Sequence, residues 1–282
     1  MTTTIDSTPE PTATTTSDQP LLTVRDLSVR FRAQRAPAGD GHRVIQAVDG
    51  VSFDLLRGQS LGVVGESGCG KTTLGRAILG LVRGARGVVR FENVDVLGAG
   101  GASMRRLRRD MQMVFQDPQG SLNPRMRVGS IVSEPLVIHR IGDGTQRRRR
   151  TESTLQRVGL RASDANRYPH ELSGGQRQRV GIARAIILEP RLIVCDEPVS
   201  ALDVSIQSQI LNLFADLREQ LGLTYLFISH DLAVVRHVCD RVAVMTGGRI
   251  VETGITDDVF ERPEHDDTTR LLAATCAAPT RN

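Results

Sequence analysis

An α/β fold is predicted, with a parallel-stranded core preceded by an antiparallel β subdomain and interrupted by an inserted α-helical subdomain. Three observations predict it. Leu27, Val29 and Phe31 alternate with Ser28 and Arg30, and Val51, Phe53 and Leu55 alternate with Ser52 and Asp54, the period of half-buried antiparallel strands. The short apolar runs Ser60 to Val64, Leu192 to Cys195 and Leu223 to Ile228 have the unbroken character of parallel strands buried on both faces. From about Gly98 to Leu188 the chain carries Arg-rich helical patterns and few strand signals, which marks the insertion.

Residues 1–20 are rich in Thr, Ser and Pro, with too few hydrophobes to offset the entropy of ordering, so a disordered tail is expected there. The folded unit is expected over 21–260. Ala36 to His42 reads as a loop between the opening strands. Ser60 to Val64 runs into a glycine-rich segment and then into Leu74 to Leu81 at helical spacing, an order of strand, loop and helix. Inside the helical stretch, Met113 to Phe115 reads as one short strand. Leu202 to Leu217 is an amphipathic helix between two apolar runs and completes an α/β crossover. A short helix is expected around Asp257 to Glu261, and 261–282 reads as a polar tail.

The chain has 282 residues, 39% of them hydrophobic, enough to bury a substantial core. No apolar stretch approaches the ~20 residues that cross a bilayer, and Met1 to Pro20 lacks the Arg or Lys of a signal or transit peptide. Residence in the cytoplasm is therefore expected, with any membrane role reached through a partner. Cys69, Cys195, Cys239 and Cys276 are far apart and show no CxxC spacing, which speaks for free thiols rather than a zinc site or disulfide framework. The formal charge of +4 is densest at Arg105, Arg106, Arg108 and Arg109 and at Arg147 to Arg150. Such runs read as solvated helix faces, and no nucleic acid partner is expected. Of the 36 basic residues only Lys71 is a lysine. A compact ammonium on a flexible stem fits inside a loop that wraps phosphates, where a planar guanidinium is too bulky.

Gly65-Glu66-Ser67-Gly68-Cys69-Gly70-Lys71-Thr72 fits the G-x-x-x-x-G-K-[ST] phosphate loop in its strand-to-helix context. Its glycines let backbone N–H groups approach an anion, and the following helix points its positive end at the same place. Lys71 is expected to contact the β- and γ-phosphates, Thr72 to ligate Mg²⁺, and Thr73 to continue the cradle. Arg191 to Glu197 is an apolar strand that ends in two carboxylates, where ligands of open parallel sheets bind. Asp196 is expected to hold Mg²⁺ and Glu197 to orient the attacking water. In Leu172-Ser173-Gly174-Gly175-Gln176, Ser173 is a good N-cap and two bare glycines open a second helix start to an anion. One nucleotide cannot easily reach both helix starts within one subunit.

The order and spacing of Gly65 to Thr72, Gln116, Leu172 to Gln176, Asp196-Glu197 and His230 resemble the ATP-binding cassette family, over about Leu21 to Gly254. The resemblance implies a P-loop NTPase (RecA-like) core, ATP hydrolysis, and a head-to-tail dimer. In that dimer Ser173 to Gln176 of one cassette covers the ATP held by Lys71 of the other. It also implies that Gln116 reaches Mg²⁺ and the water, and that His230 contacts the γ-phosphate. In isolation these two read as a loop amide and a structural histidine. Ser200-Ala201-Leu202-Asp203 matches the loop that crosses the dimer interface. Phe31 matches the aromatic that stacks on adenine, with a core phenylalanine as the other reading.

Val114 to Pro118, Ser121 to Met126 and Cys195 to Ser205 look like the oligopeptide, dipeptide and nickel importer branch. That narrower resemblance implies two transmembrane permease subunits, a second cassette, an extracytoplasmic substrate-binding protein, and a peripheral position at the cytoplasmic face of the membrane. Its most fitting substrates are oligopeptides or dipeptides. Gln119 departs from the branch's usual aromatic, and His265-Asp266-Asp267-Thr268 from its usual His-Pro-Tyr-Thr, which bears on the substrate more than on the ATPase. With Cys276 alone beyond Cys239, no cysteine-held cluster is expected. The alternative is a soluble ABC-type ATPase acting on nucleic acid or ribosomes, but such proteins generally carry two cassettes or a long coiled coil. A phosphate-loop kinase or small GTPase leaves Leu172 to Gln176 without a role.

Overall fold

A computed structural model describes residues 19–32 and 44–277, without the side chains of 32, 118, 119 and 275–277. The expected loop Ala36 to His42, all but the last two residues of the expected N-terminal tail, and the side chains of Gln119 and Cys276 lie outside this description. The chain runs β1 (Pro20–Arg32), β2 (Val44–Leu56), β3 (Ser60–Val64), α1 (Lys71–Ile78), β4 (Arg86–Phe91), β5 (Val94–Asp95), α2 (Gly101–Asp110) and β6 (Met111–Val114). It continues through α3 (Pro118–Ser121), α4 (Val128–Ile138), α5 (Gly144–Arg157), two 3₁₀ turns, α6 (Gly174–Ile186), β7 (Leu192–Asp196), α7 (Val204–Leu221) and β8 (Thr224–Ser229). α8 (Leu232–Val238), β9 (Arg241–Thr246), β10 (Arg249–Ile255), α9 (Thr256–Glu261) and α10 (Asp266–Ala277) close the order.

β1 and β2 pair antiparallel, with Val24 opposite Phe53 and Val29 opposite Val48, and join a four-stranded sheet of order β2-β1-β4-β5. The second sheet has six strands in the order β10-β9-β3-β8-β7-β6. All its described pairings are parallel except β9 with β10. Every residue of β3, β7 and β8 is buried, which is why their sequences read as unbroken apolar runs. Their two faces feed different cores. Leu192, Val194, Leu226 and Ile228 join α1 and the four-stranded sheet, whereas Ile193, Cys195, Tyr225 and Phe227 face the helices α4 to α8. On the helical side Phe214 meets Tyr225 and Phe227 edge to face, and the Tyr225 hydroxyl donates to the Phe214 carbonyl at 3.2 Å.

Three expectations shift. The short strand expected at Met113 to Phe115 begins two residues earlier, as β6, and pairs with β7 from Met111 opposite Leu192 to Val114 opposite Cys195. The glycine-rich loop enters its helix at Lys71, before the expected apolar positions begin, since glycine there is the cap. The expected tail beyond 261 holds α10, seated by Glu252 of β10, whose carboxylate accepts the N–H groups of Glu264 and His265, both at 3.0 Å. Burial by itself would raise the Glu252 carboxyl, but these N–H donors, with Thr268 and the His265 ring adding to them, outweigh it and hold the group below its ordinary range. Leu271 and Leu272 then pack against the helical-side core.

Candidate functional site

β3 delivers the chain to a loop whose shape is fixed from outside. Gly70 has φ 107 and caps α1 without any side chain, and a Cβ there would stand 1.9 Å from the Ala47 carbonyl oxygen. At Gly65 a Cβ would lie 2.1 Å from the Met245 carbonyl oxygen. Strands β2 and β9 thus clamp both ends of the loop, while Glu66, Ser67 and Gly68 are exposed and Cys69 and Thr73 are half-buried. Lys71 is 5% exposed, and its ammonium donates to the Gly65 and Glu66 carbonyls, each at 2.8 Å. No carboxylate forms an ion pair with it among the described residues. A buried cation held by carbonyl dipoles and the Cys69 sulfur at 3.8 Å, beside an uncapped helix start, fits a phosphate group.

The carboxyl ends of β6, β7 and β8 meet beside that loop. Asp196, 2% exposed, accepts the Thr72 hydroxyl at 2.8 Å. Burial raises its carboxyl, against the Thr72 hydrogen bond and the nearby charge of Arg76. Hydroxyl and carboxylate oxygens side by side are the hard donors that Mg²⁺ prefers, so these residues fit that ion. Glu197 follows with φ 47, a left-handed conformation that costs a non-glycine residue about 1 to 3 kcal/mol, and its N–H is held by the Ile228 carbonyl at 2.8 Å. That turn aims its side chain between two neighbours. Gln116 donates to one carboxylate oxygen at 2.9 Å, and the Nδ1 of His230 stands 3.2 Å from the other. Glu197 thereby touches both of the other residues expected to handle water and γ-phosphate.

The second helix start is built differently. Ser173 caps α6, accepting the Gln176 N–H at 3.3 Å while the Gln176 side chain accepts the Ser173 N–H at 3.1 Å. Gly174 and Gly175 give room to Leu202 and Ile206, since a Cβ on Gly175 would stand 2.6 Å from the Ile206 side chain. Leu202 belongs to the loop Ser200 to Asp203, and the Ser200 hydroxyl donates to the Glu197 carbonyl at 3.1 Å. A continuous path therefore links Glu197 to the α6 start.

A model of the ABC transporter family matches residues 48–200. This chain is a member of the ABC transporter family. The oligopeptide transport ATP-binding protein OppF of Salmonella typhimurium is 50% identical over 257 residues, covering 90% of this chain and 77% of the relative. The glutathione import ATP-binding protein GsiA of Pectobacterium atrosepticum is 48% identical over 270 residues, 96% of this chain and 43% of GsiA. Among solved structures, an ATP-binding cassette captured as a dimer in a post-hydrolysis state with ADP and Pi superposes with TM-score 0.73 at 28% identity, covering 83% of this chain and 98% of that one. The fold is thus that of an ABC ATPase.

Within this ABC ATPase, Phe31 ends β1 opposite Ile45 and is 43% exposed, so it is not a core residue. Sequence reasoning passed over Arg76, which lies one helical turn beyond Thr72 and borders a cleft of about 810 Å³ together with Asp196 and Gln116. Its spacing of four from Thr72 on one helix face was the available signal. Leu79, Leu81, Met113, Phe115, Pro135 and Ile138 give the same cleft an apolar lining between the sheet and the helical segment.

Proposed function

We propose that this chain is the ATP-hydrolysing subunit of an ABC importer that takes up oligopeptides or dipeptides, working as a head-to-tail pair with a second, identical or homologous cassette. The observation that carries this reading is the contact of Glu197 with both Gln116 and His230 beside the Thr72–Asp196 pair. The Gly65 to Thr73 cradle holds the phosphates, with Lys71 on the β- and γ-oxygens and Phe31 against adenine. Thr72, Asp196 and Gln116 would hold Mg²⁺, which supplies charge neutralisation at the phosphates. Glu197 orients a water for in-line attack on the γ-phosphorus and accepts its proton as the bond to the bridging oxygen breaks, leaving ADP and phosphate. His230 steadies the γ-phosphate. Ser173, Gly174, Gly175 and Gln176 of the second cassette close over the same nucleotide, supplying donors where negative charge develops.

Among the described residues no helix is long and apolar enough to cross a membrane. Of the two transmembrane permease subunits, one would dock a helix in the apolar cleft beside Gln116, touching a residue that also touches Glu197, and the other would use the second cassette. A substrate-binding protein on the far side and a peripheral place on the cytoplasmic face complete the assembly. The import subunits among the relatives support this direction of transport and not the nucleic acid alternative.

Glu197→Gln tests it. The variant keeps the phosphate cradle and loses the group that orients water, so ATP should hold it as a stable dimer by sedimentation while turnover falls about 10²- to 10⁴-fold. Near-normal hydrolysis by the variant would remove Glu197 from this role.

A further inference from the structure

Of the four arginines of α2, Arg108 borders the cleft beside Asp196, and the other three are arranged around a second cavity. Arg105, Arg106 and Arg109 line a hollow of about 590 Å³ together with Gly101, Ala102 and His139 from the end of α4. All three arginines are exposed, and none is paired with a carboxylate among the described residues. Asp110, the next acid along α2, is engaged by Arg191 at 2.9 Å. α2 starts at Gly100 without a side-chain cap or an acidic residue in its first turn, so its positive end adds to the same field. Burial, reinforced by Arg109 and Arg105, holds His139 below its ordinary range, while Asp110 acts weakly against them.

The surroundings select the ligand. No Phe, Tyr or Trp ring lines the hollow, so it lacks the broad stacking platform of single-stranded nucleic acid binders. Val137 and Ile138, immediately before His139, are 51% and 59% exposed, so cationic and apolar groups stand together as they do on surfaces that lie against a bilayer. His139 also borders the apolar cleft assigned above to the permease, which places the hollow beside the membrane partner.

We infer that the α2 arginine face, with His139, is a docking site for anionic phospholipid headgroups at the membrane surface next to the permease. The orientation rests on the importer reading, but the test does not need the permease or ATP turnover. The purified full chain is floated with phosphatidylcholine vesicles and with vesicles that also contain phosphatidylglycerol. Binding is expected to the anionic vesicles only, and to decline with added salt. Replacing all three residues, Arg105→Gln, Arg106→Gln and Arg109→Gln, should weaken it about a hundredfold. Arg148→Gln, Arg149→Gln and Arg150→Gln together remove the same charge from α5 and should leave it nearly intact. Retained binding of an ATP analogue establishes that each variant is folded.

Equal loss in both triple variants would reduce the effect to net charge and overturn the site. So would binding to neutral vesicles, or no binding by the unaltered chain. If inorganic phosphate moves the His139 ring resonances while vesicles do not bind, the hollow takes a small anion and the lipid assignment fails. If an acidic peptide binds there and vesicles do not, the surface belongs to a protein partner. In each of these cases the importer reading stands or falls on Glu197→Gln alone.

Discussion

Two helix starts in this molecule could each receive an anion, and they are finished in opposite ways. α1 begins at a left-handed glycine with no side-chain cap, around a buried lysine that forms no ion pair among the described residues. α6 begins at an exposed serine whose capping box is closed from both sides. They also belong to different cores, α1 to the one under the four-stranded sheet and α6 to the one among the helices. The first start is incomplete without a ligand and is held rigid by neighbouring strands. The second is satisfied as a helix end and gains a ligand only if one is brought to it. A nucleotide bound at the first and covered by the second therefore calls for two copies, in line with the dimeric cassette that this chain resembles.

Lys71→Ala should have the largest effect on this contrast. It removes the one buried cation of the first start, and ATP affinity or turnover is expected to fall about a hundredfold or more, by nucleotide titration and phosphate release. Unchanged values for both would show that the loop does not hold the phosphates. Ser173→Ala should act only on the second start. Single-copy ATP affinity, measured at concentrations too low for pairing, should stay within about twofold, while turnover under pairing conditions falls about tenfold for the lost charge-assisted hydrogen bond. Loss of affinity in the unpaired chain would mean that one subunit uses both starts.

The smallest difference is the sharpest. Ser173→Ala should cost about 1 kcal/mol of stability and Ser173→Gly only a few tenths, because glycine is a tolerable N-cap. Denaturant titration reads that gap. If the Ser173 hydroxyl meets a phosphate of the partner copy, both variants lose turnover equally despite their unequal stability. Turnover that follows stability instead would confine Ser173 to capping.

Much of the site was written locally. The glycines of 65 to 70 announce a loop that only such residues can form, Lys71 stands alone among arginines, and the run Leu192 to Glu197 shows where a buried strand meets water. Other features had no such signal. The left-handed turn at Glu197 violates the preference of its residue type and is held by the Ile228 carbonyl of another strand. α10 looked like a polar tail because its anchor, Glu252, lies in a strand already passed. The hollow between α2 and α4 joins residues 101 to 109, whose arginines read as a solvated helix face, with residue 139, which carried no local signal.

By itself the sequence determined the α/β class, the loop that cradles phosphate, the acids at the end of β7 and the second helix start. Each depends on the conformational freedom or period of a few consecutive residues, and those properties travel with the residues. Only the tertiary structure decided that Gln116, Glu197 and His230 touch, that α1 and α6 face different cores, and that the arginines of α2 surround a cavity. Those contacts are made between strands and helices distant in the chain, and strand order, set by the burial of whole faces, fixes them.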